Sequence, residues 1–305
     1  MDSIDKNILI ALDANCRLSY QALSDQLGIT ANAIRKRFDR LVETGVIEEF
    51  VVMLQPEVVG SEYLIALVRT DATENEEEFI EYLGANLNII QAGQVVTSSN
   101  RLYFVHCEYI GSGDLKDLST FFNKIESVTE LELHTIPVPR GNPFDVKRLH
   151  LRVLKLLLED ARMQVSQIAK RLGITARRAG RAIQEMQDSG AFWFAIRWNL
   201  SLGDNTEFYL KIIYDEKVAS KDDVDAWLRE KYPDEYWFSF CSAMEPVLFA
   251  KFVTDHFRDA RDIARVVDDE TFSCTVDTLL SYPVKKFPRV GMLKIQEMIA
   301  EAGIE

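Results

Sequence analysis

The sequence predicts an α+β chain in which two winged helix-turn-helix domains alternate with two ferredoxin-like (βαββαβ) domains. Three observations predict it. The stretch from Leu27 to Ile47 has the pattern of a tight turn, a second helix and the start of a wing strand, and residues 172–190 repeat it at a constant offset of 145. Each copy is followed by segments with strand and helix periodicity in the order β-α-β-β-α-β. Between the halves lies the stretch richest in Pro and Gly, Pro137 to Pro143. A repeat this long means a doubled domain pair, because a solenoid repeats every ~20–50 residues.

Taken in order, residues 1–57 form the first winged helix-turn-helix domain. Ile4, Ile8, Leu9 and Leu12 line one face of a first helix, and Ser19 can cap the helix that carries Leu23 and Leu27. Gly28 is placed where two helices cross closely. Thr30 caps the recognition-type helix, Ala31 to Glu43, whose Ile34, Phe38 and Leu41 recur at helical spacing. Gly45 ends it, and Val46 to Leu54 reads as a wing strand, with Pro56 and Gly60 punctuating the exit.

Residues 61–138 form the first ferredoxin-like domain. Strands are expected at Glu62–Thr70, Ile89–Thr97, Arg101–Ile110 and Glu130–Ile136, and helices at Asn75–Leu87 and Asp114–Glu126. Glu74, Glu76, Glu77 and Glu78 read as a solvated first helical turn favoured by the helix dipole. Residues 145–201 repeat the winged helix-turn-helix, with Ala176–Asp188 as recognition-type helix and Phe192–Leu200 as wing. Residues 205–284 repeat the ferredoxin-like plan, with a last strand at Thr271–Ser281, and a C-terminal helix at 290–302 is attached to that domain. The offset of 145 is carried into it by Glu62-Tyr63 against Glu207-Phe208.

The 305 residues are 47% hydrophobic and carry a net charge of −13, which at face value disfavours nucleic acid. The distribution changes that reading. Residues 145–200 hold eleven basic and five acidic side chains, whereas residues 1–56 hold six and eight. A basic patch in an acidic protein suits local phosphate binding, with repulsion elsewhere limiting unspecific contact. No apolar run reaches the ~18 residues of a membrane helix, and no secretory leader is read at the N-terminus. Cys16, Cys107, Cys241 and Cys274 and the four histidines are scattered, so no zinc site or disulfide framework is expected, and a reduced, cytoplasmic setting follows.

A helix-turn-helix sets its second helix in the major groove with residues near that helix's N-terminus at the base edges. The candidate DNA-binding residues are Thr30, Asn32, Arg35, Lys36 and Arg37 in the first copy and Thr175, Arg177, Arg178 and Arg181 in the second. Asn pairs with adenine and Arg with guanine, at about 1–3 kcal/mol of discrimination each. The competing readings are a solvated helix face, or a winged helix that binds protein. Gly180 stands where the first copy has Arg35, so the two readers are unequal. His106 and His134 read as packed or edge histidines, Trp193 and Trp198 as packing between domains, and Trp237, Phe238 and Phe240 as core or interface. The sequence holds no Gly-rich phosphate loop, G-x-S-x-G or His/Cys cluster. No enzymatic activity, cofactor or metal is expected.

The residues Ile4-Asp5, Ile8-Leu9, Leu12, Arg17, Leu23-Ser24, Leu27-Gly28-Ile29-Thr30, Ile34-Arg35-Lys36-Arg37, Leu41 and Gly45-Val46-Ile47 together resemble the Lrp/AsnC (feast/famine) transcriptional regulators. The resemblance is closer in the first half than in the second. It implies double-stranded DNA as partner and a ferredoxin-like domain for effector binding and oligomerisation. It also implies either a homodimer or a monomer that builds within one chain what two subunits build elsewhere. The family's Thr-Gly…Asp segment between the second and third strands is not matched. The turns read Thr97-Ser98-Ser99-Asn100-Arg101 and Ser242-Ala243-Met244-Glu245-Pro246, so no effector-binding residue is named. The sirohaem decarboxylases resemble the same domain plan. On that alternative, His106, His134 and Arg101 are the nearest candidates for the site.

Overall fold

The computed structural model describes all residues other than 98–100, 142–143, 201, 203–204 and 305. In chain order the first half comprises α1 (Ser3–Ala14), α2 (Tyr20–Leu27), α3 (Ala31–Glu43), β1 (Ile47–Leu54), α4 (Pro56–Val59), β2 (Glu62–Thr70), α5 (Glu76–Gly84), β3 (Ile89–Val95), β4 (Arg101–Tyr109), α6 (Gly111–Asn123) and β5 (Val128–Ile136). The second comprises α7 (Arg148–Leu157), α8 (Val165–Leu172), α9 (Ala176–Asp188), β6 (Phe192–Trp198), β7 (Thr206–Tyr214), α10 (Lys221–Lys231), β8 (Tyr236–Cys241), β9 (Val247–Thr254), α11 (Phe257–Asp268), β10 (Ser273–Leu279), β11 (Ser281–Lys286) and α12 (Val290–Glu301). These form two compact units, each discontinuous in sequence. One is Met1–Gly60, Pro139–Gly203 and Val290–Glu305, and the other is Ser61–Val138 and Asp204–Arg289.

The first unit holds both three-helix heads. Local chemistry sets their helix ends as the sequence predicts. The Ser19 hydroxyl accepts from the Ala22 amide at 3.1 Å and the Thr30 hydroxyl from the Ala33 amide at 3.2 Å. Gly28 has a different reason from the one its sequence context suggests. It is the left-handed cap of α2 at φ +71°, and a Cβ there would meet nothing within 4 Å. Among the described residues, no packing contact at this Cβ position demands a glycine.

The wings are not separate features of each head. β1 and β6 pair with one another as a two-stranded antiparallel ribbon. Phe50 lies opposite Ile196 and Val51 opposite Ala195. The repeat maps Phe50 onto Ala195 and Val51 onto Ile196, so from Glu49 to Val52 the ladder reads the same from either copy, up to a register shift between Ile47 and Glu49. A local two-fold axis passes through its centre. Backbone bonds beyond the strand ends extend it, from Asn199 to the Val46 carbonyl and from Gln55 to that of Ala191.

α12 belongs to this unit and not to the second ferredoxin-like domain. Met292 packs on Val51, Met53 and Ala195 of the ribbon. Gly291 lets the helix approach, since a Cβ there would overlap the Leu54 carbonyl oxygen.

The second unit contains two antiparallel sheets. One has the order β10-β7-β9-β8, the ferredoxin-like arrangement, and the other the order β11-β3-β4-β2-β5. Each sheet packs one face on its own helices, through Leu64, Ala66 and Val68 in one and Phe208, Leu210 and Ile212 in the other. Their opposite faces share a cluster that includes Ile65, Leu67, Phe104, Tyr209, Val247 and Phe249.

Two differences from the sequence reading appear here. In β2 and β7 the structural offset is 144, not 145: the two strands show the same burial pattern in that alignment. A one-residue shift exchanges the faces of a strand. Tyr63 therefore looks into the inter-sheet cluster, while Phe208 looks to the helices. The second difference is β11. The last strand does not run to Ser281; β10 ends at Leu279, and β11 crosses to pair antiparallel with β3 of the other sheet. Phe287 then fills the space beside Gly84, where a Cβ would overlap its ring. The turn at 98–100 and part of the Pro137–Pro143 joint lie outside the described residues.

Candidate nucleic-acid interface

In α3, Ile34, Phe38 and Leu41 are buried. Tyr20 meets Phe38 edge-on at 5.3 Å, and Phe38 stacks on Phe50 of the ribbon at 5.8 Å. That packing fixes the rotation of the helix and leaves Thr30, Asn32, Arg35 and Lys36 exposed together. Among the described residues Asn32 and Lys36 have no ion-pair or side-chain hydrogen-bond partner. Arg35 reaches Asp39 loosely, at 3.7 Å.

Arg37 is placed otherwise. It is half-buried, and its Nη1 lies 2.8 Å from both Asp2 and Asp5. Hydrogen bonds to Asp5 and then Asp2 raise its pKa further. Asp5 is 2% exposed and also accepts from Arg40. Arg37 and Arg40 thus clamp α3 to α1.

The second head keeps the frame and reverses the charges. At the offset of 145, His150 replaces Asp5, Glu185 replaces Arg40 and Ala182 replaces Arg37. His150 Nδ1 accepts the Lys147 amide at 3.2 Å, leaving Nε2 to donate to Glu185 at 3.1 Å. His150, then Arg181, holds the Glu185 carboxyl below the usual carboxylate range. Ala179, Ala182, Ile183 and Met186 face the core, and the Thr175 hydroxyl accepts from the Arg178 amide at 3.2 Å.

Thr175, Arg177 and Arg178 stand exposed at the start of α9, the two arginines unpaired among the described residues. Arg181 is 81% exposed and reaches Glu185 at 3.0 Å. A Cβ at Gly180 would meet only Val165 Cγ1, at 3.6 Å. Among the described residues no close approach requires that glycine.

The two heads are joined reciprocally. Arg17 donates to the carbonyls of Ala161 and Met163, and Arg162 donates to that of Cys16. Arg162 also lies over the Phe38 ring at 4.9 Å. Trp193 Nε1 donates to the Asp13 carbonyl. Sequence reasoning missed this joint, although Arg17 and Arg162 stand at the repeat offset.

The residues nearest to an enzymatic site do not converge. Arg101 and His106 project to opposite faces of β4. Arg101 bonds to Glu74 on the helix side. His106 lies between Tyr63 and Phe240, at 5.0 Å from each ring. His106 and His134 do share a face, both standing opposite Ile65. Burial first, then Arg289 and Lys251, push the His106 pKa down to about 3. His106 Nε2 is buried without a hydrogen-bond partner among the described residues. Arg289 donates to the Tyr63 hydroxyl at 2.6 Å and lies 3.5 Å from Glu108. Lys251 is 2.7 Å from Glu207, and Lys211 pairs with Glu132. Among the described residues no group of His, Cys, Asp and Glu side chains could hold a metal ion. None of the described helices is long and apolar enough to cross a membrane.

Comparison with known proteins bears on the heads. The sequence pattern of winged helix-turn-helix DNA-binding domains matches residues 1–48 and again 147–191. An HTH-type transcriptional regulator of Pyrococcus furiosus is 33% identical over 75 residues, 25% of this chain and 51% of its own length. One from Pyrococcus horikoshii is 24% identical over 137 residues, 44% of this chain and 90% of its own. The chain thus spans about half of the first and most of the second. Over nearly its whole length, 99%, the fold is similar to all of the sirohaem decarboxylase NirDL, at a TM-score of 0.58 and 13% identity. That likeness is one of fold. A doubled arrangement of these domain types is therefore an architecture that other chains also adopt.

Proposed function

We infer that this chain, which carries the winged helix-turn-helix DNA-binding pattern in each half, is a sequence-specific DNA-binding transcriptional regulator of the Lrp/AsnC type. The observation that carries the reading is the pair of recognition helices whose exposed N-terminal residues, Asn32 and Lys36 on one and Arg177 and Arg178 on the other, are not consumed by ion pairs within the described structure. Phosphate contacts from the basic residues position the duplex, and base contacts near the helix N-termini specify the sequence. A DNA partner places the protein where the DNA is. The sheets of the second unit supply the effector-responsive part, with the buried polar groups around His106 and Arg289 as its centre. In this reading the four domains are 1–57, 61–138, 145–201 and 205–284.

Binding of purified chain to genomic fragments at two salt concentrations tests the proposal. One class of fragment is preferred, and Arg35→Ala combined with Arg178→Ala weakens its binding. Equal binding of all fragments, unchanged by those substitutions, overturns it.

A second reading has one specific observation in its favour, the whole-chain similarity in fold to a sirohaem decarboxylase. On that reading the inter-sheet His106, His134, Lys251 and Arg289 face a tetrapyrrole substrate, with Arg101 excluded by its position. Tight binding of added sirohaem, seen as a visible absorbance change that His106→Leu abolishes, supports it.

A further inference from the structure

We propose that a single chain is a complete operator-reading unit, and that the operator it reads is one duplex with two unequal half-sites. The inference rests on the DNA-binding reading above and adds stoichiometry and base class to it.

The first support is the internal two-fold. Regulators that read two half-sites need two heads related by an axis that coincides with the dyad of the DNA. Here that axis is supplied within the chain by the β1–β6 ladder, in which Phe50 opposes Ile196 and Val51 opposes Ala195. The reciprocal bonds from Arg17 and Arg162 obey the same symmetry. The ribbon has one partner for each strand, and both partners come from one polypeptide. The joint that sets the spacing of the heads needs no second chain.

The second support is the chemistry of the two exposed faces. The frame is symmetric but the reading residues are not. Asn32 corresponds to Arg177, Ala33 to Arg178 and Arg35 to Gly180. Asn presents a donor and an acceptor that match adenine N7 and N6, whereas Arg presents the donor fork that matches guanine O6 and N7. The first head therefore reads an arm that contains a key adenine, and the second an arm that contains a key guanine. The reversal of charge beneath the helices acts in the same sense. Asp2 and Asp5 neutralise Arg37 and Arg40 in the first head. In the second, Glu185 pairs with His150 and Arg181, and Arg177 and Arg178 have no ion-pair partner among the described residues. The second arm holds phosphate more strongly.

Selection of duplexes from a random library by the full chain, followed by mass measurement of the complex, tests this. The expected result is a non-palindromic site bound by one chain. Asn32→Ala relaxes preference in one arm only, and Arg177→Ala with Arg178→Ala in the other only, each by about 5- to 150-fold at the affected bases. All of these side chains are exposed, and unchanged thermal melting verifies that the variants fold. A palindromic site, two chains per site, or a variant that relaxes both arms alike overturns the proposal while leaving DNA binding intact. Failure to enrich any duplex overturns the DNA reading itself, and this inference with it.

Discussion

Replacing His106 by leucine removes a buried ring that the fold holds neutral, and the change is legible in the pH dependence of stability. Burial depresses the folded-state pKa to about 3 from the ordinary histidine value of 6.5. Below 6.5 the unfolded chain takes up a proton that the folded chain refuses, so stability falls as pH falls. The contribution is fully present above pH 6.5 and is lost progressively down to about 3. Each pH unit within that window costs about 1.4 kcal/mol. Between pH 7 and pH 5 the native protein therefore loses about 2 kcal/mol through this residue alone. Leucine is similar in volume to histidine and leaves no unpartnered nitrogen among the Tyr63 and Phe240 rings, so the cost at pH 7 stays below about 1.5 kcal/mol. Urea unfolding of both proteins at pH 7 and pH 5 measures the difference. The variant loses about 2 kcal/mol less than the native chain over that interval. Parallel pH profiles would refute the assignment of His106 as a desolvated neutral group.

Further predictions concern the frame. Gly180→Ala stabilises the chain by about 0.5–1 kcal/mol in thermal or urea unfolding, because the helix interior has room for the methyl group; destabilisation would show that the glycine is required by packing. Asp5→Ala destabilises by about 2 kcal/mol, below the ~3–5 kcal/mol of a fully buried pair because Arg37 and Arg40 are partly exposed to solvent. Its counterpart in urea unfolding is a Asp5→His, Arg40→Glu double variant, which recovers part of that loss by installing the second head's arrangement. Phe287→Ala costs about 3–5 kcal/mol and frees β11 from β3, read as faster amide exchange in residues 89–95.

The parts of this fold that local chemistry decides were legible from the residues. Ser19 and Thr30 cap their helices because a hydroxyl beside a free amide needs no distant partner. The apolar spacing of Ile34, Phe38 and Leu41 set the buried face of α3 in the same way. What depends on distant pairing was not legible. Nothing in the alternation of Val46 to Leu54 says that its partner is β6 and not a strand of its own head. The one-residue change of offset at β2 and β7 is hidden because both faces of those strands are apolar, so periodicity does not mark which side faces which core. β11 lies beyond the last strand of the repeat, and its pairing with β3 of the other sheet is a distant contact that no local pattern marks. In the candidate site, exposure of Asn32, Arg177 and Arg178 followed from helical period. The engagement of Arg37 with Asp2 and Asp5 did not, since it depends on where α1 lies.

The central claim is that both heads hold duplex DNA through basic side chains at the starts of α3 and α9. Fluorescence anisotropy on a selected duplex at two salt concentrations tests it most directly. With about four phosphate-neutralising contacts, a fourfold rise in salt lowers affinity by about a hundredfold. Lys36→Ala with Arg181→Ala, which removes one phosphate-holding cation from each head, flattens that dependence by about two contacts. An affinity that is insensitive to salt, or a salt dependence that the double variant leaves unchanged, would contradict the account.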